Sequence, residues 1–161
     1  MSRTIESRED TIRDEDMNEQ TQGYDPVKFP HRELTERIIG CFYDVYNELG
    51  FGFLESVYHR AMIVALEANG LRVESEAKLP VFFRGVQVGH FEADLLVEGV
   101  VILEFKAVEE LIPGHEAQLL NYLKASAVEL GLLLNFRPKP KLRRLAFAND
   151  RKRSRPPISV D

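Results

Sequence analysis

The segment from Phe91 to Val108 constrains the fold more than any other part of the sequence. It consists of two runs rich in Val, Ile, Leu and Phe joined by Glu98-Gly99, which predicts a β-hairpin. The second run, Val100–Val108, is apolar on both faces at its start, as in a central strand covered on both sides. The same strand carries Glu104 and Lys106 on one face. Burying charges is costly unless they are paired or bind a metal, so these two residues need an explanation.

The length of the hairpin loop decides where Asp94 lies relative to Glu104. A two-residue loop would pair Ala93 with Glu104 and place Asp94 on the opposite face. A three-residue loop, 98–100, pairs Asp94 with Glu104 and brings their Cβ atoms to about 5 Å. The sequence does not force either register. We prefer the second because one cation between two carboxylates would relieve their repulsion, and such oxygen ligands suit Mg²⁺ or Mn²⁺. The alternative is a partly exposed ion network without a function.

The remaining sequence predicts helices and strands around this hairpin. Apolar residues recur at steps of three and four in segments 31–49, 54–69 and 115–128, which predicts three helices. Alternating apolar residues bounded by turn residues predict six strands: Leu71–Glu76, Pro80–Arg84, Val86–Val97, Val100–Val108, Gly131–Phe136 and Arg143–Ala148. The order α-α-β-β-β-β-α-β-β predicts an α/β fold, with a mixed central sheet flanked by helices.

Composition predicts a single domain, residues 31–149, between two tails. Residues 1–30 hold eight acidic and four basic residues and lack periodicity, which predicts a disordered acidic arm. Residues 150–161 are basic and contain two prolines, which predicts a disordered tail. The basic run from Arg137 to Arg155 could contact phosphates, although a net charge of −5 gives no general indication of nucleic-acid binding. The alternative for this run is a solvated tail without a partner.

Other features exclude several classes of protein. The single cysteine, Cys41, excludes an internal disulfide and a four-cysteine zinc site. No apolar stretch approaches the length that spans a membrane, and the N-terminus lacks an apolar signal region, so we expect no membrane partner and a cytoplasmic location.

Two predicted helices add polar residues with ordinary explanations of their own. Glu55 and Tyr58 are three residues apart at a helix start, where the negative charge of a glutamate interacts favourably with the helix dipole. Gln118 and Tyr122 are four residues apart in the third helix, a spacing typical of a hydrogen-bonded helix surface.

Taken together, these residues resemble a known family. Asp94, followed by Glu104-x-Lys106 on the next strand, resembles the signature of the PD-(D/E)XK, or restriction-endonuclease-like, nuclease superfamily. Gly52-x-x-Glu55-x-x-Tyr58, with HEAQLLNYLK after the hairpin, resembles the GxxExxY family within it. The resemblance spans about residues 31–149. It implies a restriction-endonuclease-like fold and a Mg²⁺- or Mn²⁺-dependent nuclease that hydrolyses DNA phosphodiester bonds.

The resemblance also implies a set of metal ligands. Asp94 and Glu104 would bind the metal, with help from the carbonyl of Phe105. Glu55 would be a further acid at the site, directly or through water.

Three more residues acquire roles by the same resemblance. Lys106 would orient or deprotonate the attacking water and stabilise the charged phosphorane. Gln118 and Tyr122 resemble the QxxxY motif of RecB-like nucleases and would position the metal-site strand or the DNA backbone. One departure is Glu92, two residues before Asp94, where the family often has a basic residue. In the preferred register Glu92 faces Lys106, and pairing would hold that lysine protonated or quench a degenerate site.

Alternatives to a DNA nuclease stay open from the sequence. One is a catalytically weak or inactive nuclease-like scaffold used for binding, as a subunit or a homo-oligomer, which Glu92 and the acidic arm favour. Another is a nuclease that acts on RNA. For a DNA nuclease, the substrate could be single strands, ends, duplexes or branches, and a duplex cutter would need a dimer to address both strands.

Overall fold

The computed structural model describes residues 31–152; the predicted arm, 1–30, and most of the predicted tail, 153–161, lie outside this range. The helices are α1 (Arg32–Leu49), α2 (Glu55–Ala68), α3 (Pro113–Ala125) and a final 3-10 turn (Asn149–Arg151). The strands are β1 (Val73–Phe83), β2 (Val86–Val97), β3 (Val101–Lys106), β4 (Leu130–Asn135) and β5 (Lys141–Ala146).

The five strands form one mixed sheet in the order β1-β2-β3-β4-β5. Strands β3 and β4 are parallel, and the other neighbours are antiparallel. A parallel pair needs a crossover connection, which α3 provides between β3 and β4. Residues 101–105 of β3 are all buried, so β3 is the predicted central strand covered on both sides.

Helices cover both faces of the sheet, which confirms the predicted α/β architecture. On one face, α1 and α2 pack against the sheet through Phe42, Tyr58 and neighbouring apolar residues. On the other face, Leu119 and Leu123 of α3 pack against Ile102 and its neighbours. Within residues 31–152, no helix is long and apolar enough to cross a lipid bilayer.

The first two predicted strands form a single strand, β1. The described sheet therefore has five strands, three before α3 and two after it, where six were predicted. The order of elements is otherwise as predicted. Strand β1 pairs with β2 from Val73 to Phe83, interrupted at Glu76, whose φ is 53°, and by a register shift after Val81. Pro80 does not end the strand because β1 lies at the edge of the sheet, where a missing N–H costs little.

Two element ends also differ from the sequence prediction. Helix α3 ends at Ala125 rather than near Val128, because Ser126 adopts an extended conformation. The ordered chain continues past the predicted boundary at Asn149. Lys152 is buried and donates hydrogen bonds from Nζ to the carbonyls of Ser126 (2.6 Å) and Val128 (2.9 Å), which ties the end of the described chain to the segment after α3.

Close packing of α3 on β4 depends on Gly131. A Cβ atom at Gly131 would lie 2.8 Å from Cδ1 of the fully buried Leu119. We expect Gly131→Val to lower the free energy of unfolding by about 1–3 kcal/mol, because it overpacks this contact. Urea unfolding measures the change. Gly89→Val is the matched control, since β2 has open space at that position. Equal stability of the two variants would contradict the packing argument.

Candidate active site

The hairpin between β2 and β3 has the predicted three-residue loop. Val97 pairs with Val101, and the pairing continues to Leu95 and Leu103. The next positions in this register are Asp94 and Glu104, which therefore lie opposite each other. The predicted register is therefore confirmed.

The turn of this hairpin is held from outside by Arg72. Glu98 and Gly99 have φ values of 52° and 69°, and a left-handed conformation is uncommon for glutamate. Arg72 stabilises it, because its backbone N–H and its Nε donate to the two carboxylate oxygens of Glu98 at 2.7 and 3.2 Å. The backbone N–H of Glu98 donates in return to the carbonyl of Arg72 at 2.9 Å. These bonds lower the pKa of Glu98 and help to set the register that aligns the two acids.

Where Asp94 lies opposite Glu104, hydrogen bonds from backbone N–H groups to side-chain carboxylates replace the regular hydrogen bonds between the two backbones. The backbone N–H of Phe105 donates to Oδ2 of Asp94 at 2.8 Å, and the backbone N–H of Asp94 donates to Oε1 of Glu104 at 3.2 Å. Each carboxylate is thus fixed by the backbone of the opposite strand. The two acids form a preorganised pair at the end of a central strand.

Electrostatic repulsion within this pair is strong because water is excluded. Only 7% of the Glu104 surface is exposed. Burial first, and then the charge of Asp94, raise the pKa of Glu104 to about 8, and the charge of Lys106 opposes this rise. Without a cation, the buried carboxyl of Glu104 therefore retains a proton at neutral pH.

Buried Asn135 holds the chain just after the acid pair, a role that the sequence did not reveal. It lies opposite Lys106 in the parallel β3–β4 pairing. Its Oδ1 accepts from the backbone N–H of Val108 at 3.1 Å, and its Nδ2 donates to the carbonyl of Val108 at 3.0 Å. A fully buried amide at the end of the apolar run LGLLLN was the available signal. Asn135 thereby positions the end of β3, which carries Lys106.

Helix α3 brings Gln118 and Tyr122 to the site. Nε2 of Gln118 donates to the Tyr122 hydroxyl at 2.8 Å, and the Tyr122 ring stacks on Phe91 with centroids 3.9 Å apart. Burial, then the charge of Glu104, and more weakly that of Asp94, raise the pKa of Tyr122. Tyr122 is therefore close enough to the acid pair to sense both charges. Phe91, which orients the tyrosine, is a second residue that the sequence did not single out.

The other acid of the predicted site, Glu55, is exposed at the first residue of α2. Within residues 31–152 no group of three or more His, Cys, Asp or Glu side chains is placed to hold a metal ion. The structure thus groups two acids, Asp94 and Glu104, and does not bring Glu55 to them as a third direct ligand. A contribution of Glu55 through water stays a prediction.

Tyr58 differs from Glu55 in its surroundings. It is fully buried, and its ring stacks on Phe136 with centroids 4.1 Å apart. Its hydroxyl donates to the carbonyl of Gly50 at 2.7 Å and accepts from the backbone N–H of Phe53 at 3.4 Å. Tyr58 therefore anchors the loop that leads to Glu55, which gives the Gly-x-x-Glu-x-x-Tyr spacing a structural reason.

The prediction that Glu92 faces Lys106 is wrong. Side-chain alternation in β2 is interrupted between Ala93 and Asp94, because Phe91 and Ala93 pack on the α3 side of the sheet whereas Leu95 and Val97 pack on the side of α1 and α2. Glu92 therefore points away from α3, while Asp94, opposite Glu104, points towards it. Lys106 lies on the α3 side, by alternation from Ile102. Within residues 31–152, no salt bridge joins Glu92 to Lys106. Glu92 is exposed and leaves the acid pair and its lysine undisturbed.

The donor set fits a divalent cation such as Mg²⁺ or Mn²⁺. Buried Glu104 and half-buried Asp94 repel each other when both are charged, and a hard cation with oxygen ligands is the usual partner of such a pair. Mg²⁺ keeps several waters and takes only one or two carboxylates from a protein, so the lack of a third acid is compatible with it. Asp94, Glu104 and the carbonyl of Phe105 are the groups that would hold the ion.

The raised pKa of Glu104 predicts how stability depends on pH without metal. The folded state keeps a proton that the unfolded state loses above about 4.5, so stability falls as pH rises from about 4.5 to about 8. Glu104→Gln removes this titration, and we expect it to flatten the decrease by up to about 5 kcal/mol. Urea unfolding in EDTA across this range measures it. Glu92→Gln is the control, and a Glu104→Gln profile parallel to that of the wild type would contradict the prediction.

Comparisons with known proteins agree with this geometry at the level of the family. The chain is similar over residues 32–145 to the model of the PD-(D/E)XK nuclease superfamily. No curated protein matches it significantly. Among solved structures it is similar to the crystal structure of SSO0001, with a TM-score of 0.44 and 20% identity over 76% of this chain. The chain spans 61% of the length of SSO0001. Because the superfamily model matches more than half of the chain, the protein belongs to the PD-(D/E)XK nuclease superfamily.

Proposed function

We propose that the protein is a nuclease of the GxxExxY family that uses Mg²⁺ or Mn²⁺ to hydrolyse phosphodiester bonds in DNA. The observation that carries this proposal is the contact of half-buried Asp94 with buried Glu104 at the end of β3, with Lys106 two residues further on. A structural role alone does not account for a buried carboxyl next to a second carboxyl, because that arrangement costs stability. The chain belongs to a nuclease superfamily, and a catalytic role for the two acids explains why the protein keeps an arrangement that costs stability.

The chemistry divides between the ion and the protein. When bound, a divalent cation lowers the pKa of water and neutralises the phosphoryl oxygens. Asp94 and Glu104 would hold that ion, with Glu104 buried and Asp94 half-buried. Lys106 lies on the same side of the sheet as Glu104 and close enough to favour its charged form. Its amine would orient the attacking water or stabilise the extra negative charge of the phosphorane.

Helix α3 supplies the positioning groups in this proposal. The Tyr122 hydroxyl accepts a hydrogen bond from Gln118, and an accepting hydroxyl can still donate its own proton. A carboxylate of the acid pair or a DNA phosphate oxygen is a suitable acceptor. Stacking on Phe91 fixes the direction of that hydroxyl. Glu55 would act through a water, from the loop that Tyr58 anchors.

A cleavage assay tests the proposal directly. The full chain is incubated with labelled single-stranded, duplex and branched DNA, and with RNA, in Mg²⁺ or Mn²⁺. We expect DNA cleavage that Glu104→Gln and Lys106→Gln each lower at least about 100-fold, because each removes a charge that stabilises the transition state. Glu92→Gln and Lys78→Gln are matched controls on the opposite side of the sheet. Cleavage of RNA alone would contradict DNA as the substrate, and cleavage unaffected by either site variant would contradict the assigned residues.

Metal binding separates an active site from a scaffold. Calorimetry with Mn²⁺ at pH 7 should show binding that Asp94→Asn abolishes or weakens at least about tenfold, because the variant removes one of two charged ligands. Wild-type binding should also release close to one proton, since Glu104 must deprotonate to coordinate the ion. Buffers of different ionisation enthalpy measure that proton. Absence of Mn²⁺ binding by the wild type would favour an inactive binding subunit, and light scattering would then show whether it is a homo-oligomer.

A further inference from the structure

A basic groove lies on the α3 side of the sheet, along the helix that carries Gln118 and Tyr122. It has a volume of about 780 Å³ and runs between the end of β1, the second half of α3 and the chain after β5. Its polar and aromatic lining residues are Phe82, Asn121, Lys124, Phe147, Arg151 and Lys152. No acidic residue lines it, although the whole chain carries a net charge of −5. The positive charge is therefore concentrated locally.

An aromatic ring holds the two exposed cations of this groove in place. Nζ of Lys124 lies 5.5 Å from the centroid of Phe147, and Cζ of Arg151 lies 5.2 Å from the same centroid. Within residues 31–152, neither cation forms a salt bridge. Cation–π contacts orient a charge without neutralising it, so both groups keep their attraction for an anion.

Buried Lys152 fixes the geometry of the groove by joining two of the segments that form it. Its two hydrogen bonds to the carbonyls of Ser126 and Val128 tie the 3-10 turn to the segment after α3. Arg151, the preceding residue, is held next to the end of α3 as a result. The groove is therefore a built feature of the fold rather than a chance approach of two surface side chains.

The groove and the acid pair share one helix. Tyr122, beside Glu104 and Asp94, lies between Asn121 and Lys124 in sequence, and Asn121, Lys124 and Ala125 line the groove. Lys124 is two residues from Tyr122 and projects from nearly the opposite side of the helix, with Ala125 and Asn121 between them on the helix surface. A polynucleotide with one phosphate at the acid pair could therefore pass over Ala125 and Asn121 and place more distant phosphates at Lys124 and Arg151.

We propose that this groove binds a single nucleic-acid strand next to the phosphodiester bond to be cut, with Lys124 and Arg151 contacting its phosphates. The inference rests on the proposed function for the identity of the strand as substrate. Cations combined with aromatic side chains are typical of sites that hold single strands, whose bases are free to contact a ring. A regular duplex offers phosphates but keeps its bases stacked, so the groove favours a single strand over a duplex.

Binding of labelled single-stranded DNA to the full chain in EDTA tests the groove without cleavage. Fluorescence anisotropy is followed over a series of salt concentrations. We expect the double variant Lys124→Gln/Arg151→Gln to weaken binding and to reduce the slope of log K against log salt by about 1.4, because each lost phosphate contact on a single strand contributes about 0.7. Wild-type protein should bind the single strand more tightly than the matching duplex.

The control variant, Arg60→Gln/Lys78→Gln, removes the same charge from the other side of the sheet. Arg60 is exposed on α2, and Lys78 points away from α3 because its neighbours Ala77 and Leu79 pack toward it. We expect this control to keep the wild-type slope. Equal slopes for the two double variants would overturn the proposal. It would also be overturned if polyglutamate or inorganic phosphate displaced the labelled strand as effectively as unlabelled single-stranded DNA does. Thermal melts establish that both variants are folded.

The outcome is separable from that of the proposed function. Glu104→Gln should bind the strand as well as the Lys78→Gln control does, even though it does not cleave. If the protein binds through the groove and cleaves nothing, the nuclease proposal fails and the groove stands. If it cleaves and the groove variant keeps the wild-type salt slope and KM, the groove proposal fails alone.

Discussion

The contact between Asp94 and Glu104 is the interaction on which the candidate site depends. It places the buried carboxyl of Glu104 next to the half-buried carboxyl of Asp94, which costs stability because the two charges repel each other. The protein achieves it by locking the strands that carry them. Arg72 holds the turn between β2 and β3, and Asn135 holds the chain after β3. Strand register fixes the positions from which the two carboxylates meet, and a change of register would also move the buried apolar residues of β3.

Helix α3 connects the core, the acid pair and the basic groove. Its buried leucines pack on β3 and β4, and Gly131 allows the close approach. The same helix presents Gln118 and Tyr122 to the acids and Lys124 to the groove. The parallel pairing of β3 with β4 requires a crossover at this place, so the topology that makes β3 central also puts a helix beside the end of that strand. A shift of α3 would alter all three features together.

The sequence predicted most of the architecture because the dominant signals were local. Apolar periodicity located α1 and α2 well, and the apolar run of β3 marked a strand covered on both faces. Errors arose where a local signal was overridden by the surroundings. Pro80 suggested a break, yet an edge strand tolerates proline. Glu92 was expected to face Lys106, but the alternation of β2 is interrupted between Ala93 and Asp94, which places Glu92 on the other side of the sheet.

Local sequence also determined which residues could take part in chemistry: two acids and a lysine in apolar strands, and a glutamine and a tyrosine on one side of a helix. Tertiary structure alone decided which of them meet. It placed Tyr122 beside the acids, kept Glu55 out of a three-acid cluster and used buried Tyr58 to anchor a loop. It also assembled a groove from residues up to 71 positions apart, 81 and 152, which no periodicity reveals. The physical reason is that sequence patterns report on the nearest turn or strand, whereas charge repulsion, burial and shared ligands depend on distances set by the packing of the whole sheet.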